Sequence, residues 1–276
     1  MRKTKITLQQ LESFLLAAAN VLYGKMDPSE YKEYIFGLLF LKRLSDVFDE
    51  KREEVKKQYV HLPAPDLAKI LELRSTYGDT LFVPERARWN DPWTNENGDP
   101  QPALKDIHTN IGEVLNKAIA AVEDHNETLH GVLKGNIDFN EQVAGKPKIK
   151  NEDLKDLLDH YTRSVDKRGI PLVNDVFEFP DLLGAAYEYL IKFFADSAGK
   201  KSGTFYTPPW VVRLMVRIIQ PQQKMSVYDP TVGSGGMLIQ CSQHVSEQGD
   251  DGSDLDLHGH PRLFQPQCTM QPTEVA

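Results

Sequence analysis

Leu8, Leu11, Leu15, Ala18 and Leu22 recur at intervals of three and four residues, which predicts an amphipathic helix close to the start of the chain. Thr7-Leu8-Gln9-Gln10 supplies its capping box: the Thr7 hydroxyl can accept from a first-turn amide while Gln10 reaches back. Gly24 ends that pattern. A second helix is predicted from Asp27-Pro28-Ser29-Glu30, with Asp27 as N-cap and Pro28 at the first helical position. Its apolar stripe is Tyr31, Ile35, Leu38, Leu41, Leu44 and Phe48, and Asp49 to Lys57 continues it as a charged, solvated stretch. Dense proline and glycine punctuation from Leu62 to Pro102 predicts short helices and loops packed on the bundle, because Trp89 and Trp93 are poor choices for a solvated linker. Further helices are expected over Ala103 to Glu123 and Asn151 to Tyr161, the latter capped by Asn151, with a polar connector from Gly135 to Lys150.

Near Gly169-Ile170-Pro171 the pattern changes. A helix is expected from Asp181 to Asp196, then a Gly/Lys loop, then a helix from Pro209 to about Ile219. The short strand Ser226-Val227-Tyr228 runs into Asp229-Pro230-Thr231-Val232-Gly233-Ser234-Gly235-Gly236, and a helix follows from Met237. Strand, glycine loop and helix in that order open a doubly wound α/β domain. The predicted organisation is a helical N-terminal domain over 1–165 followed by the beginning of an α/β doubly wound, Rossmann-like domain over 166–276.

Composition narrows the function classes. The chain has 276 residues, 40% hydrophobic and 26% charged, as in an ordinary soluble globular protein. Its longest apolar run, Tyr34 to Leu41, is too short to span a bilayer, and the amphipathic start does not read as an export signal, so a cytoplasmic location is expected. Two cysteines, Cys241 and Cys268, make neither a disulfide framework nor a metal cluster. A net charge of −8 argues against a broad, unaided grip on DNA: either the basic residues are segregated onto one face, or a partner does the gripping.

The glycine loop lets a ligand approach the backbone where any Cβ would clash, with the Asp229 carboxylate beside it. A dinucleotide fold requires G-x-G-x-x-G, and Leu238 stands where the third glycine belongs. The nearest P-loop candidate, Gly199-Lys200-Lys201-Ser202, has Phe194 at the first glycine position and Lys201 where the hydroxyl belongs. S-adenosylmethionine, whose amino-acid end needs close backbone contact, is the third option, and a plain tight turn explains an isolated G-x-G-G equally well.

The combination says more. Gly203-Thr204-Phe205-Tyr206-Thr207-Pro208, one helix ahead of Asp229-Pro230-x-x-Gly233-Ser234-Gly235-Gly236, resembles paired motifs of amino-methylating DNA methyltransferases. Met26-Asp27-Pro28-Ser29-Glu30-Tyr31-Lys32, continuing through Gly37-Leu38-Leu39-Phe40-Leu41-Lys42 to Ser45-Asp46, resembles the helical N-terminal domain of type I restriction-modification methylation subunits. Asp181-Leu182-Leu183-Gly184-Ala185-Ala186-Tyr187-Glu188-Tyr189-Leu190 is similar to the helix that precedes their cofactor site.

That resemblance implies an S-adenosylmethionine site walled on one side by Thr204, Phe205, Tyr206, Thr207, Pro208 and Pro209. Gly233, Ser234, Gly235 and Gly236 would form the other wall, with Asp229 nearby. It implies methyl transfer to the exocyclic amino group of a flipped-out adenine in DNA. The implied partners are a specificity subunit and, in some assemblies, a restriction subunit. Family members place an Asn/Asp-Pro-Pro-aromatic tetrapeptide at the reacting amino group. Thr207-Pro208-Pro209-Trp210 only looks like it, because Thr207 carries no amide or carboxylate and lies before the glycine loop. Asn90-Asp91-Pro92-Trp93 lacks the second proline. No catalytic residue is therefore assigned, and the chain alone is expected to be inactive. Leu255-Asp256-Leu257-His258-Gly259 reads as a second strand, where Gln-Glu tends to follow in the family and His260-Pro261 stands here. Residues 260–276 are accordingly expected to be a non-native tail of a truncated chain, and His258 with His260 to be a loop, with no metal. The alternative function is a catalytically dead helical interaction module that binds a specificity subunit.

Overall fold

Thr7 opens the first helix, α1 (Leu8–Leu22), with the expected box: the Gln10 amide donates to Thr7 Oγ1 at 3.3 Å and the Thr7 amide to Gln10 Oε1 at 2.9 Å. Gly24 follows at φ +73, a left-handed turn that glycine adopts without strain. In this computed structural model the described residues are 5–26, 28–163, 172–173, 176–178, 182–186, 189–190, 207, 209–232 and 235–260. The Asp27 cap expected for the next helix lies outside them. The chain divides into two compact units, Met1–Lys201 and Ser202–Ala276.

The first unit is helical. α2 (Pro28–Gln58), α3 (Ala64–Leu71), α4 (Ile111–Asp124) and α5 (Asn151–Arg163) join α1 around one apolar core. All six positions of the α2 stripe are buried, and Leu11, Leu15, Ala18 and Leu22 of α1 face them, while Leu8 sits exposed on the first turn. The Tyr161 hydroxyl of α5 donates to the Ile35 carbonyl of α2 at 2.7 Å, a buried bond that ties the two helices. Gly37 lets α2 approach Phe139 and Ile137, where a Cβ would meet ring and methyl carbons at 2.8 and 2.9 Å.

Four expectations are corrected here. The helix placed over Ala103 to Glu123 begins only at Ile111, because the Leu104 and Lys105 amides donate to the Arg88 and Trp89 carbonyls and hold that stretch as a single 3-10 turn. Asn151 does not cap its own helix: its side-chain oxygen accepts the Ile111 amide at 3.0 Å and so caps α4. The connector from Gly135 to Lys150 carries a short hairpin, β3 (Gln142–Val143) with β4 (Lys146–Pro147), and buries Phe139 and Ile149. A similar pair, β1 (Trp93–Thr94) and β2 (Pro100–Gln101), decorates the proline-rich stretch. The charged end of α2 is not wholly solvated, since Val55 is buried and Arg52 pairs with Asp91 and Glu72. Trp89, by contrast, is fully buried as expected.

The core extends past α5. Leu172, Phe177, Leu182, Ala186 and Leu190 pack into it, and Ile6 bridges Phe177. Of the helix expected from Asp181 to Asp196, residues 182–186 and 189–190 are helical and the remainder lies outside the described residues.

His160 makes the helical unit sensitive to acid. Its ring stacks on Phe14 at 4.3 Å, and Nε2 lies 3.0 Å from the Phe14 carbonyl. Burial lowers its pKa below the ordinary 6.5, against a smaller raising effect of that carbonyl. Below pH 6.5 the unfolded chain then binds a proton that the folded chain resists, so stability falls with pH until the folded pKa is reached. Urea midpoints at pH 7.5 and 5.0 should show a larger acid loss in the unsubstituted chain than in His160→Gln; equal losses would contradict this.

Among the described residues, the first element of the second unit is α6 (Pro209–Ile219). β5 (Ser226–Asp229), α7 (Gly236–Glu247) and β6 (Asp256–Gly259) follow. β5 and β6 are parallel, in register from Ser226 opposite Asp256 to Asp229 opposite Gly259. Val212 and Val216 of α6, Cys241 and Val245 of α7, and Leu255 form its core, with Val227 and Leu257 packed against them. This is one β-α-β unit, as the strand, loop and helix pattern predicts.

Candidate cofactor site

The site forms where β5 ends. Asp229 closes the strand, and its Oδ1 accepts the Thr231 amide at 2.9 Å and the Thr231 hydroxyl at 3.4 Å, turning the chain sharply away from the sheet. The turn is completed by Gly235, whose amide donates to the Val232 carbonyl at 2.8 Å. Gly235 has φ +83 and ψ 4, the left-handed region, and is the N-cap of α7 without a side chain to satisfy the first amides. The first amides of α7 therefore receive no side-chain cap from Gly235, and Asp229 ends the strand that precedes the loop.

β6 closes against this loop. A Cβ on Gly259 would meet Val232 carbons at 2.6 and 2.7 Å, so only glycine lets strand and loop lie this close. The His260 amide donates to the Asp229 carbonyl at 2.9 Å and continues the pairing one residue beyond the strand. Two features not anticipated from the sequence set where β6 starts. Gly252 packs against the Ser242 carbonyl with no room for a side chain, and Ser242 Oγ donates to the Gly252 carbonyl at 2.9 Å. Gln223 Nε2 also reaches Asp254 at 2.6 Å. An isolated glycine in a polar turn was the only available signal.

Asp229, Gly235 and Gly236 are therefore brought together at one strand end. Thr207 is exposed and Pro209 is the first residue of α6. Thr204, Phe205, Tyr206, Pro208, Gly233 and Ser234 lie outside the described residues. Cys241 is buried below the site, where burial and then the Asp229 charge raise its thiol pKa, so it is an apolar packing group. Two tetrapeptides look like a catalytic motif, Thr207-Pro208-Pro209-Trp210 and Asn90-Asp91-Pro92-Trp93. Trp210 projects from the first turn of α6, 72% exposed. In the helical unit Asn90 bonds Asp49, and Asp91 pairs with Arg52. His258 pairs with Asp256 at 3.0 Å, and no cluster that could hold a metal occurs among the described residues. Nor is any helix among them long and apolar enough to cross a membrane.

Two family models match the sequence. A family model described as the HsdM N-terminal domain matches residues 11–161, more than half of the chain, and an N-6 DNA methylase model matches residues 178–267. The type I restriction enzyme MjaIX methylase subunit of Methanocaldococcus jannaschii is 28% identical over 261 residues, covering 91% of this chain and 42% of its own length. The MpnII methylase subunit of Mycoplasma pneumoniae is 29% identical, covering 86% of this chain and 45% of its own. Among solved structures, the methyltransferase subunit of a type I restriction-modification system from Streptococcus thermophilus superposes with a TM-score of 0.57 at 27% identity, over 92% of this chain and 52% of that one. The chain thus spans less than half the length of these two curated relatives.

Proposed function

Because the chain belongs to the HsdM family, the methylation subunits of type I restriction-modification systems, we propose that its second unit binds S-adenosylmethionine at the end of β5. The observation that carries this reading is the left-handed Gly235 after Asp229 within a parallel β-α-β unit, which supports a doubly wound, Rossmann-like fold for the domain it opens. When bound, the cofactor supplies an activated methyl group on its sulfonium. Gly235 and Gly236 would admit its amino-acid end against the first amides of α7, and Asp229 would face its ammonium. Thr204, Phe205, Tyr206, Thr207, Pro208 and Pro209 would form the opposite wall, with Gly233 and Ser234 completing the loop.

The full reaction we propose is methyl transfer to an adenine amino group in DNA. A specificity subunit reads the sequence, and a restriction subunit can join the same cytoplasmic assembly. The net charge of −8 fits a subunit that relies on a partner to grip DNA. As folding domains we propose 1–165 and 166–276; Leu172, Phe177, Leu182, Ala186 and Leu190 then belong by sequence to the second and by packing to the first.

This chain contains no Asn/Asp-Pro-Pro-aromatic tetrapeptide, and His260 and Pro261 stand where an acidic ribose partner is expected. A buried ribose hydroxyl without its partner costs about 1–3 kcal/mol, or about ten- to a hundredfold in affinity. Calorimetry of the 276-residue chain should therefore show weak S-adenosylmethionine binding, with no response to a nicotinamide dinucleotide. Tight stoichiometric binding would refute the missing ribose contact, and no binding at all would refute the site. Added specificity subunit and DNA should yield no methyl transfer.

A further inference from the structure

Lys42-Arg43-Leu44-Ser45-Asp46 occupies little more than one turn of α2, and Arg43, Ser45 and Asp46 each hold a segment far along the chain. Ser45 Oγ accepts the Trp89 amide at 2.8 Å. Asp46 Oδ2 accepts the Leu172 amide at 2.7 Å and also the Lys42 ammonium. Arg43 Nη1 donates to the Leu172 carbonyl. Both backbone groups of Leu172 are thus taken from one stretch of helix. Just beyond it the chain is held again, by the Ile6 amide on the Val176 carbonyl at 2.7 Å and the Glu178 amide on the Ile6 carbonyl at 3.1 Å.

Lys42 and Asp46 are 6% and 5% exposed, so water does not compete for these bonds. Burying such a pair gains little net stability, because desolvation offsets most of the attraction. What it does impose is a partner: Asp46 Oδ2, already paired with Lys42, takes its second bond only when the Leu172 amide is in place. We infer that Arg43 and Asp46, the latter paired with Lys42, form a positioning clamp that fixes the backbone at Leu172. It thereby sets where the segment matched by the methylase family, from residue 178, starts on the helical unit. Its connection to methyl transfer rests on the function proposed above; the clamp itself does not.

Amide hydrogen exchange on the 276-residue chain reads the clamp directly. The Leu172 amide should be protected, and Asp46→Ala should speed its exchange about tenfold or more while the amides of α4 and α5 keep their rates. Asp46→Asn keeps an acceptor oxygen and should restore most of the protection. The double variant Lys42→Met with Asp46→Leu separates positioning from stability. Its thermal midpoint should fall by less than that of Asp46→Ala, which leaves the buried Lys42 ammonium without its partner, yet Leu172 should exchange freely. An unprotected Leu172 in the parent, uniform acceleration across α4 and α5 in Asp46→Ala, or a double variant that still protects Leu172 would each overturn the clamp. Absence of S-adenosylmethionine binding in the parent would count against the proposed function and leave these exchange results decisive on the clamp.

Discussion

Replacing Trp89 by alanine is expected to lower the unfolding free energy of the helical unit by about 3–5 kcal/mol, the range for truncating a fully buried large aromatic. Trp89 has no exposed surface, and its backbone is held from both sides, by Ser45 Oγ at the amide and by the Lys105 amide at the carbonyl. Its ring meets Tyr161 edge-on at 6.5 Å and lies under the Lys42 ammonium at 5.8 Å. Removing the ring empties the point where α2, α5 and the proline-rich stretch converge. Phenylalanine is the informative control. Trp89 Nε1 has no hydrogen-bond partner among the described residues, so Trp89→Phe loses volume but also removes an unsatisfied buried donor. The phenylalanine variant should cost under about 2 kcal/mol, at the mild end for core substitutions. Urea unfolding followed by circular dichroism measures both, and a cost for alanine no greater than that for phenylalanine would contradict this view of the core.

Gly235→Val is the second large effect, at the cofactor site. At φ +83 a side chain is strained, costing roughly 1–2 kcal/mol, and a β-branched one adds atoms where the backbone must approach a ligand. The expected result is no measurable S-adenosylmethionine binding by calorimetry, with the thermal transition of the helical unit unchanged. Gly249→Val supplies the comparison, because Gly249 has φ +96 at the far end of α7 and carries similar strain away from the strand end. Its affinity should stay within about twofold of the parent, as for a change that touches no ligand. Equal loss in both variants would mean that Gly235 matters for folding of the unit rather than for the ligand.

Much of the architecture could be read from periodicity. The α2 stripe, the Thr7 box and the strand-loop-helix around Asp229 all rest on interactions between residues close in sequence, where spacing and turn chemistry dictate the outcome. What spacing did not show is long-range. The helix over Ala103 to Glu123 starts late because residues 88 and 89 take its first amides. Leu172, Phe177, Leu182, Ala186 and Leu190 pack in the helical unit although the sequence around Leu182 to Leu190 resembles the entry to the cofactor half. At the site, sequence singled out Asp229, Gly235 and Gly236, but not the approach of Gly259 to Val232, which depends on strand pairing.

The side-chain oxygen of Asn151 serves a helix that begins 40 residues earlier. Closing a loop of that length costs entropy before any contact repays it, so the start of α4 and the start of α5 become favourable in a single step. During synthesis the Ile111 amide is expected to stay bonded to water until residue 151 has emerged, so that the first turn of α4 settles together with α5.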